Sequence, residues 1–75
     1  MNATELNSRI LDAWSRGDGQ LLAELYSEAG NSLLDSGLEN EGCFYLTQAY
    51  ILALENGLDT AAALHADLVR HGREE

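Results

Sequence analysis

The chain lacks or nearly lacks several residue types, and each shortage excludes a class of protein. It has no proline and one cysteine, Cys43, in 75 residues, so no internal disulfide can form and a disulfide-stapled secreted scaffold is excluded. The longest apolar run, Ala49 to Leu54, is far shorter than the ~20 residues of a transmembrane helix. The first residues also lack the basic start and apolar stretch of an export signal. We therefore expect a cytoplasmic protein that does not enter a membrane.

Basic residues are scarce as well. The formal net charge is -9, with 13 acidic residues against four basic ones, and the segment between Gly17 and Val69 has no lysine or arginine. Such a surface repels phosphate backbones, so we do not expect nucleic acid as a partner. It favours a basic or neutral protein segment, although an excess of acids also serves simply to keep a small protein soluble. The basic residues are all arginines near the two ends of the chain: Arg9, Arg16, Arg70 and Arg73.

Evenly spaced glycines divide the chain into segments of helical periodicity. Gly17, Gly37 and Gly57 suit the left-handed position just past the end of a helix. Thr4, Asp18 and Asp59 are predicted to cap helix N-termini. The second of the intervening segments has the clearest pattern, with apolar residues at i, i+3, i+4, i+7 and i+11. The predicted fold is all-α, with four antiparallel helices over residues 4–16, 19–36, 39–56 and 59–71.

The linkers between these helices are too short for anything but antiparallel neighbours. We therefore expect a single helical domain over residues 1–75, built either as a helical-hairpin array or as a small up-down bundle. A domain of this length buries only about 60% of the surface of its unfolded chain. Its core is thus expected to be thin.

The second and third helices carry a pattern of large, small and turn residues at set positions: Tyr26, Ala29, Gly30, Asn31, Leu33, Gly37, Gly42 and Ala49. In this pattern the two helices resemble a tetratricopeptide repeat (TPR), a helix-turn-helix unit that stacks into arrays and binds protein ligands in a groove. The resemblance covers about residues 22–57, and it implies that Gly30 and Gly42 lie where the two helices cross. The sequence departs from the family in having Leu46 for the usual aromatic residue and no closing proline. A second phase is also open, in which the turn is at residues 17–18.

The resemblance also implies a partner-binding surface on the second helix. In the family, the exposed side of the first helix of a repeat lines the groove, and an asparagine there, here Asn31, binds the backbone of the ligand. We therefore predict a non-enzymatic protein-binding adaptor with an acidic surface. The predicted partner-binding residues are Glu24, Ser27, Asn31, Leu34 and Asp35.

Catalysis, a metal and a cofactor are not predicted. Cys43, His65 and His71 are the only soft-metal ligands, and the two histidines lie about 120° apart on a helix, which does not make a ligand pair. The carboxylates have no partner base. Ser36 invites comparison with acyl carrier proteins, but Asp35-Ser36-Gly37-Leu38 does not match the Asp-Ser-Leu pattern of that family.

The third helix is apolar around most of its circumference, which predicts packing on two sides. Its apolar residues exceed what two flanking helices can cover, and an exposed apolar area usually marks an interface. A homodimer is therefore expected, and a structural homo-oligomer without a foreign ligand is the competing functional class. The predicted oligomer interface consists of Trp14, Phe44, Ile51 and Leu52.

Overall fold

A computed structural model describes residues 3–73 and confirms the all-α fold with four helices. The first two and last two residues of the predicted domain lie outside that range. Each predicted helix boundary is confirmed to within one residue. The helices are α1 (Ala3–Arg16), α2 (Gly19–Asp35), α3 (Glu39–Glu55) and α4 (Thr60–Arg70).

Every helix ends in the same hydrogen-bonded turn. After α2, for example, the Leu38 N–H donates to the Leu33 carbonyl at 2.9 Å and the Gly37 N–H donates to the Leu34 carbonyl at 3.0 Å. This Schellman pattern requires a left-handed residue at the turn. The three predicted glycines have that conformation, and a fourth, Gly72, ends α4 in the same way: Gly17 (φ 66°), Gly37 (φ 81°), Gly57 (φ 62°) and Gly72 (φ 71°).

At the turn after α3, the free-energy cost of placing a non-glycine residue in the left-handed conformation can be measured without any steric clash of its side chain. A Cβ atom on Gly57 would meet nothing within 4 Å, so Gly57→Ala strains only the backbone. We expect it to lower the free energy of unfolding by about 1–2 kcal/mol, measured by urea denaturation. Gly57→Asn is the control, because asparagine tolerates the left-handed region better and should lose less. Equal stability of the alanine variant and the wild type would contradict the prediction.

The three predicted N-caps have different outcomes. Asp18 is confirmed, since its Oδ1 accepts a hydrogen bond from the Leu21 N–H at 3.1 Å. Asp59 precedes α4 but makes no capping hydrogen bond. Its backbone is already helical (φ −62°, ψ −26°), whereas a capping side chain normally reaches back from an extended backbone. The prediction for Thr4 is wrong, because α1 begins at Ala3 and Thr4 lies within its first turn.

The helices form an open array rather than a closed bundle. Within residues 3–73, backbones approach closely only between consecutive helices, and α1 does not meet α4 as it would in an up-down bundle. The Cα atoms span 32 × 29 × 13 Å, so the molecule is a thin slab with two broad faces. No helix in this part of the chain is long and apolar enough to cross a bilayer.

The backbones of α2 and α3 approach each other closely where the two helices cross. A Cβ atom on Gly30 would lie 2.8 Å from Leu46 Cγ and 2.9 Å from the Gly42 carbonyl oxygen. A Cβ atom on Gly42 would likewise lie 2.8 Å from Leu34 Cγ and 2.9 Å from the Gly30 carbonyl oxygen. Each glycine thus receives the leucine of the opposite helix, which lies four residues after that helix's own glycine. The prediction that both glycines lie at the crossing is confirmed.

The core is thin, as expected, and is built from small and medium-sized side chains. The largest fully buried residues are Leu22, Leu46 and Leu68. One cluster joins α3 to α4 around Leu46 and Leu68, and a second joins α1 to α2 around Ile10 and Leu22. No polar or charged side chain within residues 3–73 is buried. The helices therefore carry their polar groups on the two broad faces and at the ends.

Candidate protein-interaction surfaces

The predicted partner-binding residues lie on the outward side of α2, with one exception. Glu24, Asn31 and Asp35 are exposed and Ser27 is half-buried. Leu34 is also half-buried, and it packs on the core of α3 beside Gly42. The outward side therefore offers two carboxylates and an amide, while Leu34 contributes to the α2–α3 interface.

The acids on this side have no ion-pair partner in the described part of the chain. Glu24, Glu28 and Asp35 are exposed, and none of them forms an ion pair with another residue between positions 3 and 73. Their short spacing along one helix gives a strip of negative charge. We call Glu24, Glu28, Asn31 and Asp35 the acidic strip.

A shallow recess of about 310 Å³ extends the acidic strip towards α4. Gln20 and Glu24 of α2 form one side, and Asp59 and Thr60 at the start of α4 form the other. Because Asp59 does not cap α4, its carboxylate is available to a ligand. Glu24 on α2 and Asp59, which precedes α4, thus line one recess.

A second concavity lies between α1 and α3, with α2 as its floor. This α1–α3 groove has a volume of about 380 Å³. Among residues 3–73, Glu41 is the only charged residue that lines it, and none of the predicted partner-binding residues does so. The groove is thus a separate and mainly apolar surface. The other lining residues are Leu6, Asn7, Ile10, Ala29, Ser32, Leu33 and Tyr45.

Three of the four predicted interface residues are exposed. The exposed fractions are 54% for Trp14, 59% for Phe44 and 44% for Ile51. Leu52 is half-buried and packs against the α1–α2 cluster around Leu22. It therefore belongs largely to the protein's own core. The expectation that part of this set remains exposed in a monomer is confirmed.

A row of aromatic rings crosses from α1 to α3. The Trp14 Nε1–H donates to the Tyr26 hydroxyl at 3.1 Å, and the Tyr26 ring centroid lies 5.8 Å from that of Tyr45. The Tyr45 ring in turn lies edge-on to Phe44 at 5.7 Å. Tyr45 was not selected from the sequence, because it falls between the core and the exposed side of α3. The row fixes the exposed Trp14 and Phe44 rings relative to the groove.

The one cysteine and the two histidines each pack against or contact other residues of the protein. Cys43 is buried in the α3–α4 cluster, and the half-buried His65 lies with its ring centroid 5.5 Å from that of Tyr50. His71 contacts a carboxylate oxygen of Glu39 at 3.4 Å. No group of three or more metal-ligating residues is present within residues 3–73. These residues therefore give no observation that favours a metal site.

No protein-family model, curated protein or solved structure matches this chain. The resemblance to the tetratricopeptide repeat rests on the residues of the chain itself. The function is therefore inferred from the surfaces alone.

Proposed function

We propose that the protein is a non-enzymatic, TPR-like interaction module of the cytoplasm, an adaptor that binds a basic or neutral protein segment along the acidic strip. The observation that carries the proposal is the set of exposed carboxylates on one side of α2 that have no ion-pair partner within residues 3–73. Neighbouring carboxylates repel one another, and a bound cation offsets this repulsion. No cofactor takes part.

The chemistry of the strip favours an extended basic peptide over other ligands. Asn31 is exposed and makes no hydrogen bond with another residue between positions 3 and 73, so its amide can donate to and accept from a peptide backbone. Glu24 and Asp59 then provide acceptors for a lysine or arginine at the recess. A basic side chain every few residues would match the spacing of the acids.

Octalysine is a suitable probe, and isothermal titration calorimetry is the measurement. Octalysine should bind the wild type at low salt, and the affinity should fall as salt screens the charges. The double variant Glu24→Lys/Asp35→Lys should lose at least ~10-fold in affinity, equivalent to about 1.4 kcal/mol. The matched control is Glu41→Lys/Glu55→Lys, which changes the net charge by the same amount on α3.

The control separates a site from general attraction. If both double variants lose affinity equally, octalysine responds to the net charge of the protein and the acidic strip is not a site. Circular dichroism of each variant should give the wild-type helix content, because all four residues are exposed. Wild-type affinity in Glu24→Lys/Asp35→Lys would also contradict the proposal.

A structural homo-oligomer is the second candidate function. The exposed Trp14, Phe44 and Ile51 favour it, because large apolar side chains in contact with water are typical of interfaces. In this case the protein would associate with itself and would need no foreign ligand.

A further inference from the structure

We propose that a second copy of this chain covers the α1–α3 face through a two-fold axis, so that the acidic strips point outward and the functional unit is a bivalent dimer. The α1–α3 face is defined by the groove, Trp14 on α1, and Phe44 and Ile51 on α3. The bivalency rests on the proposed function. The dimer itself does not.

The face carries a projection and a depression side by side. Tyr45 lines the groove, and the neighbouring Phe44 ring stands edge-on to Tyr45 and is 59% exposed. Ile51 lies two turns beyond Phe44 on the same side of α3. A two-fold axis between two such faces places the α3 side chains of each copy against the groove of the other, which is how an isologous interface becomes self-complementary.

The size of the face suits a stable dimer. The slab measures 32 × 29 Å across its broad side, a rectangle on the order of 900 Å², which is large enough to contain the ~800 Å² that each partner of a standard interface buries. A groove alone would accept only a peptide or a single helix. Covering the exposed residues on both sides of the groove together takes a partner about as broad as this protein.

The residue types on this face are those of interface centres. None of the five aromatic residues is buried, although aromatic rings usually supply the largest apolar areas of a core. Instead, Trp14 and Phe44 have more than half of their surface exposed. Tryptophan, tyrosine and phenylalanine are enriched in protein interfaces. The apolar surface of Trp14 and Phe44 that is not buried in the core is therefore available to a partner.

The charge distribution allows two chains of the same negative charge to meet here. Glu41 is the one charged residue in the described part of the chain that lines the groove. Asn31 of the acidic strip lies two residues from Ala29 and from Leu33 in the groove floor, and two residues correspond to about 200° around a helix. The strips of both copies therefore point away from the contact, and apolar burial drives the association.

Sedimentation equilibrium tests the dimer. The wild type should be a dimer at micromolar concentration, with little dependence on salt, because apolar burial is not screened. Phe44→Ser/Ile51→Ser should weaken the dimer at least ~100-fold, about 2.7 kcal/mol. Val69→Ser is the matched control, an exposed apolar residue (41%) on α4, and it should leave the dimer intact. Circular dichroism should give unchanged helix content for both variants.

Several results would overturn the inference: a monomeric wild type at all concentrations, a dimer that survives Phe44→Ser/Ile51→Ser, or a dimer lost in Val69→Ser. Octalysine titration separates this inference from the proposed function. Two octalysine molecules bound per dimer support both. A dimer that binds no octalysine supports the interface and contradicts the acidic-strip ligand. A monomer that binds one octalysine contradicts the dimer and leaves the acidic strip as the site.

Discussion

Truncation of Leu46 to alanine is expected to lower the free energy of unfolding by about 2–5 kcal/mol, as is typical of buried leucines. Leu46 is fully buried and packs over Gly30 at the α2–α3 crossing. A domain of this length has a total stability of about 4–11 kcal/mol, so this single change removes a large part of it. Thermal unfolding followed by circular dichroism should show a fall of at least ~10 °C in the melting temperature.

Leu54 provides the control for this truncation. It lies on the same helix and is 56% exposed, so Leu54→Ala removes the same atoms from a position that leaves no cavity. Its effect should stay within about 0.5 kcal/mol. Similar losses in the two variants would mean that helix propensity or surface coverage, and not core packing, determines the stability of α3.

Replacement of Gly30 by leucine should destabilise the protein by about 1–3 kcal/mol through overpacking. The first added atom would already lie 2.9 Å from the Gly42 carbonyl oxygen, and a backbone atom cannot move aside as the end of a side chain can. Gly30→Ala should also destabilise the protein. A loss of stability would be informative, because at an ordinary helical position the replacement of glycine by alanine stabilises the helix by about 0.5–1 kcal/mol.

The neighbouring residue separates close approach from helix propensity. Asn31 is exposed, so Asn31→Ala should be neutral or slightly stabilising. Urea denaturation of the three variants gives the comparison. If Gly30→Leu melts at the wild-type temperature, then Gly30 does not hold the two helices in contact and the description of the crossing is wrong.

The fold could be predicted because its signals are local in the sequence. Each of the predicted breaks is a glycine with positive φ, and apolar periodicity fills the intervals. The small residues at positions 30 and 42 likewise located the helix crossing. Residues a few positions apart determine the breaks and the periodicity, so a linear sequence records them directly. The crossing joins Gly30 and Gly42 of two different helices, and its prediction depended on the resemblance to the repeat.

The surfaces were less accessible to prediction, because they depend on how three helices are placed together. The resemblance to the repeat puts Leu34 on the exposed side of α2, but Leu34 packs beside Gly42. The signal was present, since Leu34 follows Gly30 by four residues as Leu46 follows Gly42. Leu52 similarly packs against the cluster that contains Ile10 and Leu22.

The α1–α3 groove has no sequence signature. Residues of three helices line it: those of α1 and α2 together with Glu41 and Tyr45 of α3. The first two of these helices differ in length, with 14 residues in α1 and 17 in α2. The separation between α1 and α3, which approach each other only across α2, determines its width. No periodic pattern along one helix records such a separation.

The restriction of backbone contacts to consecutive helices also shapes how the chain reaches this structure. Each helix meets its partner after the closure of one short turn, and short loops cost little entropy to close. Helical proteins with such local contacts fold in microseconds to milliseconds. No late step has to bring the two ends of the chain together, so assembly can begin at the α2–α3 hairpin and proceed outward to α1 and α4 in either order.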